Sequence, residues 1–203
     1  MWNERYAGDG YFYGTEPNTF LAEHAKALSG PVLSLAEGEG RNAVFLASLG
    51  LDVLGVDSSE TGLTKAQKLA AAKGVSIRTA VADLADYTPP AGTFGSVISI
   101  FAHLPSVIRQ RLYPLVERSL KPGGLILLEA YTLAQLPRNT GGPKDPDLLM
   151  SSADFERSFP HCEVILSREI VREVLEGTHH FGLSSVVQFI ARRRHPQGSS
   201  AQL

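Results

Sequence analysis

The chain has 203 residues, of which 43% are hydrophobic and 20% charged. These are ordinary globular proportions, and they exclude a disordered polypeptide. A formal charge of -2 and a pI near 6.3 leave no basic field that would advertise nucleic acid or an anionic membrane surface, so neither is an expected partner.

The chain begins Met1-Trp-Asn-Glu-Arg5, with an early acid and no apolar stretch, so a secretory leader is not expected. No apolar run approaches the ~20 residues of a membrane span. The single cysteine, Cys162, excludes an internal disulfide and a cysteine-rich zinc cluster. A reduced, cytoplasmic protein is the expectation, as a monomer or homodimer.

Tyr11 to Pro17 predicts an ordered loop, and Phe20–Leu28 a short helix capped by Asn18 or Thr19. Gly30 and Pro31 then punctuate the chain. Val32–Leu35 predicts a buried strand, and Gly40–Leu49 a helix that ends at Gly50. Val53–Val56 predicts a second strand, Ser59–Lys73 a helix stopped by Gly74, and Val75–Val81 a third strand. Gly95–Phe101 is a fourth strand. Val107–Leu120 is a helix that Pro114 should kink or break, and Leu125–Ala130 is a fifth strand.

Residues 133–147, rich in Pro, Gly, Asn and Asp, predict an irregular loop. Ser152–Phe159 predicts a short helix, and Glu163–Leu175 with His179–Arg193 two long strands joined near Gly177. Strands apolar on both faces and joined by helices imply a parallel sheet covered on both sides. The expected fold class is α/β: a seven-stranded parallel sheet with a C-terminal antiparallel hairpin and helices on both faces. Residues 1–30 form a separate N-terminal segment, 31–194 the main domain and 195–203 a disordered tail.

The richest segment is Val32-Leu-Ser-Leu-Ala-Glu-Gly-Glu-Gly-Arg-Asn-Ala43. A strand runs into a glycine-rich turn, a helix follows, and Asp57 ends the next strand. That layout places a ligand at the carboxyl ends of the strands, with the acid accepting from ribose hydroxyls. Gly38-Glu-Gly-Arg-Asn-Ala43 also fits a loose dinucleotide fingerprint. Glu37 and Glu39, however, stand where a pyrophosphate would sit, and carboxylates within ~4–8 Å of it are repulsive. A cationic ligand without phosphate, such as S-adenosylmethionine, suits an acidic glycine turn better.

On these residues the chain resembles the class I S-adenosylmethionine-dependent methyltransferases, and among them the small TehB-like tellurite-resistance group, over roughly residues 2–192. The resemblance implies a Rossmann-like fold and S-adenosylmethionine as cofactor. It implies cofactor contacts at Ala36, Glu37, Gly38, Gly40, Asn42, Asp57 and Ser58. Ala82-Asp-Leu84 matches the adenine-binding segment, through Asp83 and Leu84, and Phe101 and Ala102 would lie beside the sulfonium and ribose. The family commonly has an acid where this chain has Ser34. Leu120-Lys-Pro-Gly-Gly124 matches the family's turn before the fifth strand, a structural feature.

The resemblance also implies a small-molecule acceptor, with sulfur, selenium or tellurium compounds suggested by the TehB-like likeness. Residues 1–30 would act as a lid, with Trp2, Tyr6, Tyr11, Phe12 and Tyr13 its aromatics. Tyr6, Tyr13, His103 and Tyr131 are the candidate acceptor-side residues, and His103 is the candidate general base. Glu129 and the loop Arg138–Pro143 resemble the family's substrate-side insertion. Cys162 reads as a small buried residue. His179 and His180, adjacent in a strand, face opposite sides and do not suggest a shared metal. Two other functions stay open on the residues: a non-catalytic S-adenosylmethionine-binding module, and a NAD(P)-dependent oxidoreductase.

Overall fold

A computed structural model describes residues 2–177 and 180–196. His179, and residues 197–203 of the expected tail, lie outside that range. A one-turn helix α1 (Trp2–Arg5) and helix α2 (Thr19–His24) precede the sheet. The strands are β1 (Val32–Leu35), β2 (Val53–Asp57), β3 (Arg78–Val81), β4 (Phe94–Ile100), β5 (Leu120–Tyr131), β6 (Cys162–Glu176) and β7 (His180–Arg193). The remaining α-helices are α3 (Arg41–Ser48), α4 (Glu60–Ala72), α5 (Ser106–Ser119) and α6 (Ser152–Ser158).

The strands form one sheet in the order β3-β2-β1-β4-β5-β7-β6. The first five run parallel, and β7 inserts antiparallel between β5 and β6. Strand residues alternate between two cores, as a period of two demands. Leu33, Val97, Ile126 and Leu128 pack with Leu112 and Val116 of α5 and Phe155 of α6. Val32, Ile98, Leu125 and Leu127 pack with Phe20 of α2, Leu46 of α3 and Leu69 of α4. Both faces are therefore covered, and the expected α/β architecture is the observed one. The chain winds outward from β1 to β3 and returns to β4 on the other side of β1. This reversal opens a crevice at the carboxyl ends of β1 and β4, where such sheets bind ligands.

Local departures have local causes. The third strand is shorter than the predicted Val75–Val81. The N–H groups of Gly74 and Val75 are spent on the carbonyls of Ala71 and Ala70, closing the end of α4. Helix α5 runs unbroken through Pro114. That residue lies on the exposed side of the helix, while Leu112, Tyr113 and Val116 anchor the buried side. The predicted turn Leu120–Gly124 is the irregular start of β5. Leu120 pairs with Phe94 and Leu125 with Ser96, so the intervening residues bulge. Asn18 caps α2 by accepting from the Leu21 N–H, and the helix tightens to a 3-10 turn over Ala25–Ala27.

The predicted irregular loop 133–147 contains 3-10 turns at Leu133–Gln135 and Pro146–Leu148. It is fastened to the hairpin. Buried Gln135 donates to Thr140 Oγ1 and the Gly141 carbonyl, and accepts from the Ser185 N–H.

Candidate active site

The crevice is a cavity of about 600 Å³, lined from several elements. Its floor is the turn after β1. Ala36 (φ 52), Gly38 (φ 64) and Gly40 (φ 95) take left-handed backbone conformations, which fold the chain sharply between β1 and α3. Of the residues expected to hold the cofactor, Ala36, Glu37, Gly38, Asn42, Asp57 and Ser58 line the cavity. So do Asp83, Leu84, Phe101 and Ala102.

Gly40 does not line it. A Cβ at Gly40 would lie 2.6 Å from Ala66 Cα, so this glycine permits close packing of α3 on α4. The expected acceptor-side residues Tyr6, Tyr13 and His103 line the cavity, and Tyr131 does not. Tyr131 is fully buried, stacked on Phe101 at 4.5 Å and on His103 at 5.4 Å. It supports the wall from behind.

Both glutamates of the turn point inward rather than to solvent. Glu37 accepts from Ser34 Oγ and, at 2.9 Å, from the Ala43 N–H in the first turn of α3. Burial pushes its carboxyl up to about 7, with the Ser34 and Ala43 bonds and Arg41 acting the other way. Asp57 accepts from the Gly38 N–H at 2.9 Å and the Ser59 N–H at 2.8 Å. Burial raises its pKa against those backbone bonds. Two N–H groups of this turn and the helix that follows, those of Gly38 and Ala43, are thus already held by the protein's own carboxylates. This geometry speaks against a dinucleotide.

The N-terminal segment is held over the turn by charges. Lys65 of α4 donates to the carbonyls of Tyr6, Gly8 and Gly10 and pairs with Glu39. Glu39 also accepts from the Phe12 N–H at 2.6 Å. Asn3 Oδ1 accepts from Ser59 Oγ at 2.7 Å. These contacts bring Trp2, Tyr6 and Tyr13 to the cavity wall, while Tyr11 and Phe12 serve the clasp. Burial, then the charge of Asp57, raises the Tyr6 pKa, so its hydroxyl stays protonated.

The opposite wall follows β4. Phe101 (φ 52) and His103 (φ 50) are non-glycine residues in the left-handed region, a strain of about 1–3 kcal/mol each. The Phe101 N–H is tied to the Glu129 carbonyl at 2.8 Å, and the His103 ring lies within 8° of parallel to Tyr131. Strain of this kind persists where the surroundings over-determine it, and it clusters at functional sites.

The charged wall residues Arg5, Arg41 and Glu176 are not marked as site residues by any local sequence pattern. Arg41 and Glu176 form a buried ion pair at 2.7 Å and both line the cavity. They lie far apart in the chain, and no local pattern links them. Glu129 does not face the cavity. It is a buried acceptor for Asn18, Arg172 and Gln188. Cys162 is buried, and burial with nearby Glu117 pushes its thiol up to about 12, which removes it as a nucleophile. Among the described residues no cluster of His, Cys, Asp and Glu could hold a metal. No helix among them is long and apolar enough to cross a membrane.

Comparison with known proteins agrees with this geometry. Residues 32–124 match the family model for a methyltransferase domain. A 2-heptyl-1-hydroxyquinolin-4(1H)-one methyltransferase of Mycobacteroides abscessus is 29% identical over 134 residues. That match covers 63% of this chain and 59% of the relative's length.

Among solved structures, a protein studied for the conversion of a disulfide bond into a thioacetal group during echinomycin biosynthesis superposes with a TM-score of 0.77. It is 20% identical, over 97% of this chain and 90% of that one. TehB from Haemophilus influenzae gives 0.68 at 17% identity, over 86% of this chain and 61% of its own. An S-adenosylmethionine-dependent methyltransferase from Mesorhizobium loti gives 0.62 at 19% identity, over 86% and 98%. TehB does not stand apart from the others, so the likeness identifies the fold and not the TehB-like subgroup. The chain carries a methyltransferase-domain match over residues 32–124 and, over most of its length, the fold of S-adenosylmethionine-dependent methyltransferases.

Proposed function

We propose that this protein transfers a methyl group from S-adenosylmethionine to a small-molecule acceptor. The observation that carries the proposal is the turn after β1, which is acidic and closely packed, has the Gly38 and Ala43 N–H groups already held by carboxylates, and opens on a cavity. It suits a ligand that is cationic, carries a ribose and lacks phosphate. Asp57 would accept from the ribose hydroxyls, and Asp83 and Leu84 would flank the adenine. Tyr6 and Trp2 would offer aromatic faces to the sulfonium. When bound, S-adenosylmethionine supplies a methyl group on an electron-poor sulfur, open to in-line attack. The protein's main task is then to align the acceptor and exclude water.

His103, which lines the same cavity as Trp2 and Tyr13, would act as the acceptor-side base. Its strained backbone and the Tyr131 stack hold the ring in one orientation. The aromatic and apolar wall of Trp2, Tyr13, Leu104 and Pro143 suits a flat organic acceptor. The quinolone in the name of the Mycobacteroides relative makes a hydroxylated heteroaromatic the first candidate. A thiol or other chalcogen nucleophile, which needs no base, is the second.

Calorimetry with S-adenosylhomocysteine and NAD tests the cofactor. We expect binding of the first only, and binding of NAD alone would overturn the assignment. Turnover then distinguishes an enzyme from a binding module. Release of S-adenosylhomocysteine would be followed with 1-hydroxyquinolones, phenols, thiols and chalcogen oxyanions, and no release with any acceptor would favour the binding module. Asp57→Ala should weaken S-adenosylhomocysteine by about 1.5–3 kcal/mol, through loss of charge-assisted hydrogen bonds; unchanged affinity would exclude the ribose role. With a hydroxylated acceptor, His103→Ala should lower kcat by about 10²–10⁴-fold and leave cofactor affinity intact. An unchanged rate would remove His103 from the chemistry.

A further inference from the structure

We propose that the Glu37 carboxylate, rather than residue 34, is the counter-charge for the ammonium of the ligand's amino-acid tail. It would thereby select S-adenosyl amino acids over nucleosides that lack the tail. The proposal rests on the cofactor assignment above.

Strand β1 ends near Ser34, whose side chain is neutral and buried. Glu37 reaches the same space from the far side of the turn. One carboxylate oxygen accepts from Ser34 Oγ and the other from the Ala43 N–H. The stem of Glu37 passes over Gly55, the register partner of Ser34 on β2. A Cβ at position 55 would lie 3.0 Å from Glu37 Cγ and 3.2 Å from its Cβ. A small polar residue at 34, glycine at 55 and the acid at 37 therefore work as one unit. They place a carboxylate at the end of β1 without an acid on the strand.

A carboxylate offers about four acceptor positions. The protein fills two of them, and Glu37 lines the cavity. Arg41 on α3 favours its charge, while Asp57 at the end of β2 opposes it. Burial dominates and holds the carboxyl near neutrality in the free protein. A bound ammonium would add the missing positive charge and displace the proton. Ammonium-bearing ligands should therefore gain affinity as pH rises toward about 7 and level off above it.

Calorimetry on the unmodified protein with S-adenosylhomocysteine and 5′-methylthioadenosine tests this. Both ligands carry the adenosine that faces Asp57, and only the first carries the ammonium. Their affinity ratio should rise by up to about tenfold per pH unit below neutrality and then flatten. Glu37→Gln should weaken S-adenosylhomocysteine by about 10–100-fold and leave 5′-methylthioadenosine within about twofold. A pH-independent ratio overturns the proposal. So does an equal loss for both ligands, which would make Glu37 only a cap for α3. If Glu37→Gln does not fold, the pH profile of the unmodified protein decides alone. If the unmodified protein binds neither ligand, the cofactor assignment itself fails and takes this proposal with it. Binding of 5′-methylthioadenosine without preference for S-adenosylhomocysteine overturns this proposal alone.

Discussion

Replacing Glu129 by leucine should destabilise the protein by about 3–5 kcal/mol, the range for removing one partner of a buried ion pair. Its carboxylate is fully buried and gathers four donors. Arg172 gives Nε at 2.8 Å and Nη2 at 2.6 Å, Asn18 gives Nδ2 at 2.6 Å, and Gln188 gives Nε2 at 2.8 Å. Burial acts to lower the Arg172 pKa, but the bond and charge of Glu129, together with Glu176, outweigh it and raise it. Without Glu129 a half-buried guanidinium and two amides lose their acceptor together. Typical domains are stable by about 5–15 kcal/mol, so the loss is a large share of the total. Urea unfolding measures it. The double replacement Glu129→Leu with Arg172→Met should recover part of the loss, because the orphaned charge is then gone. A single-variant loss under about 1 kcal/mol would show that the network is not coupled.

The second large effect is expected at Gly40. Gly40→Ala must keep φ near 95° and place a Cβ 2.6 Å from both Cα and Cβ of Ala66. Backbone strain and the displacement of α4 from α3 together should cost about 2–5 kcal/mol. The partner atoms belong to a helix and its shortest side chain, so no rotamer change relieves the clash. Gly38→Ala offers the contrast. Its Cβ would meet the Tyr6 hydroxyl at 2.9 Å, the far end of a side chain that can swing. Gly38→Ala should therefore lower stability less and ligand affinity more. Thermal unfolding and S-adenosylhomocysteine titration of the two variants should rank them in opposite orders; the same order in both would refute the division of roles.

This division is not encoded in the local sequence. Gly38 and Gly40 read alike in the string, two glycines of one loop. Their difference lies in what stands opposite, Tyr6 or Ala66, and only tertiary contact decides it. Tyr131 reads as an acceptor-side aromatic, yet it is the platform beneath Phe101 and His103. Glu129 reads as a substrate-side acid, and it is the hub of a buried network. The loop after β5 reads as irregular from its composition, and Gln135 and Thr140 fasten it to the hairpin.

The sequence by itself determined the α/β class, the order of its elements and the acidic glycine turn. Each is encoded locally, by periodicity, by glycine spacing or by charge next to a turn. Only the tertiary structure decided that Glu37 reaches back to Ser34, that Arg41 pairs with Glu176, and that Lys65 clasps the N-terminal segment. Glu37 meets Ser34 only because the turn doubles back, and the other partners come from distant parts of the chain. Burial then sets the energy of each charge, and burial is a property of the packed fold.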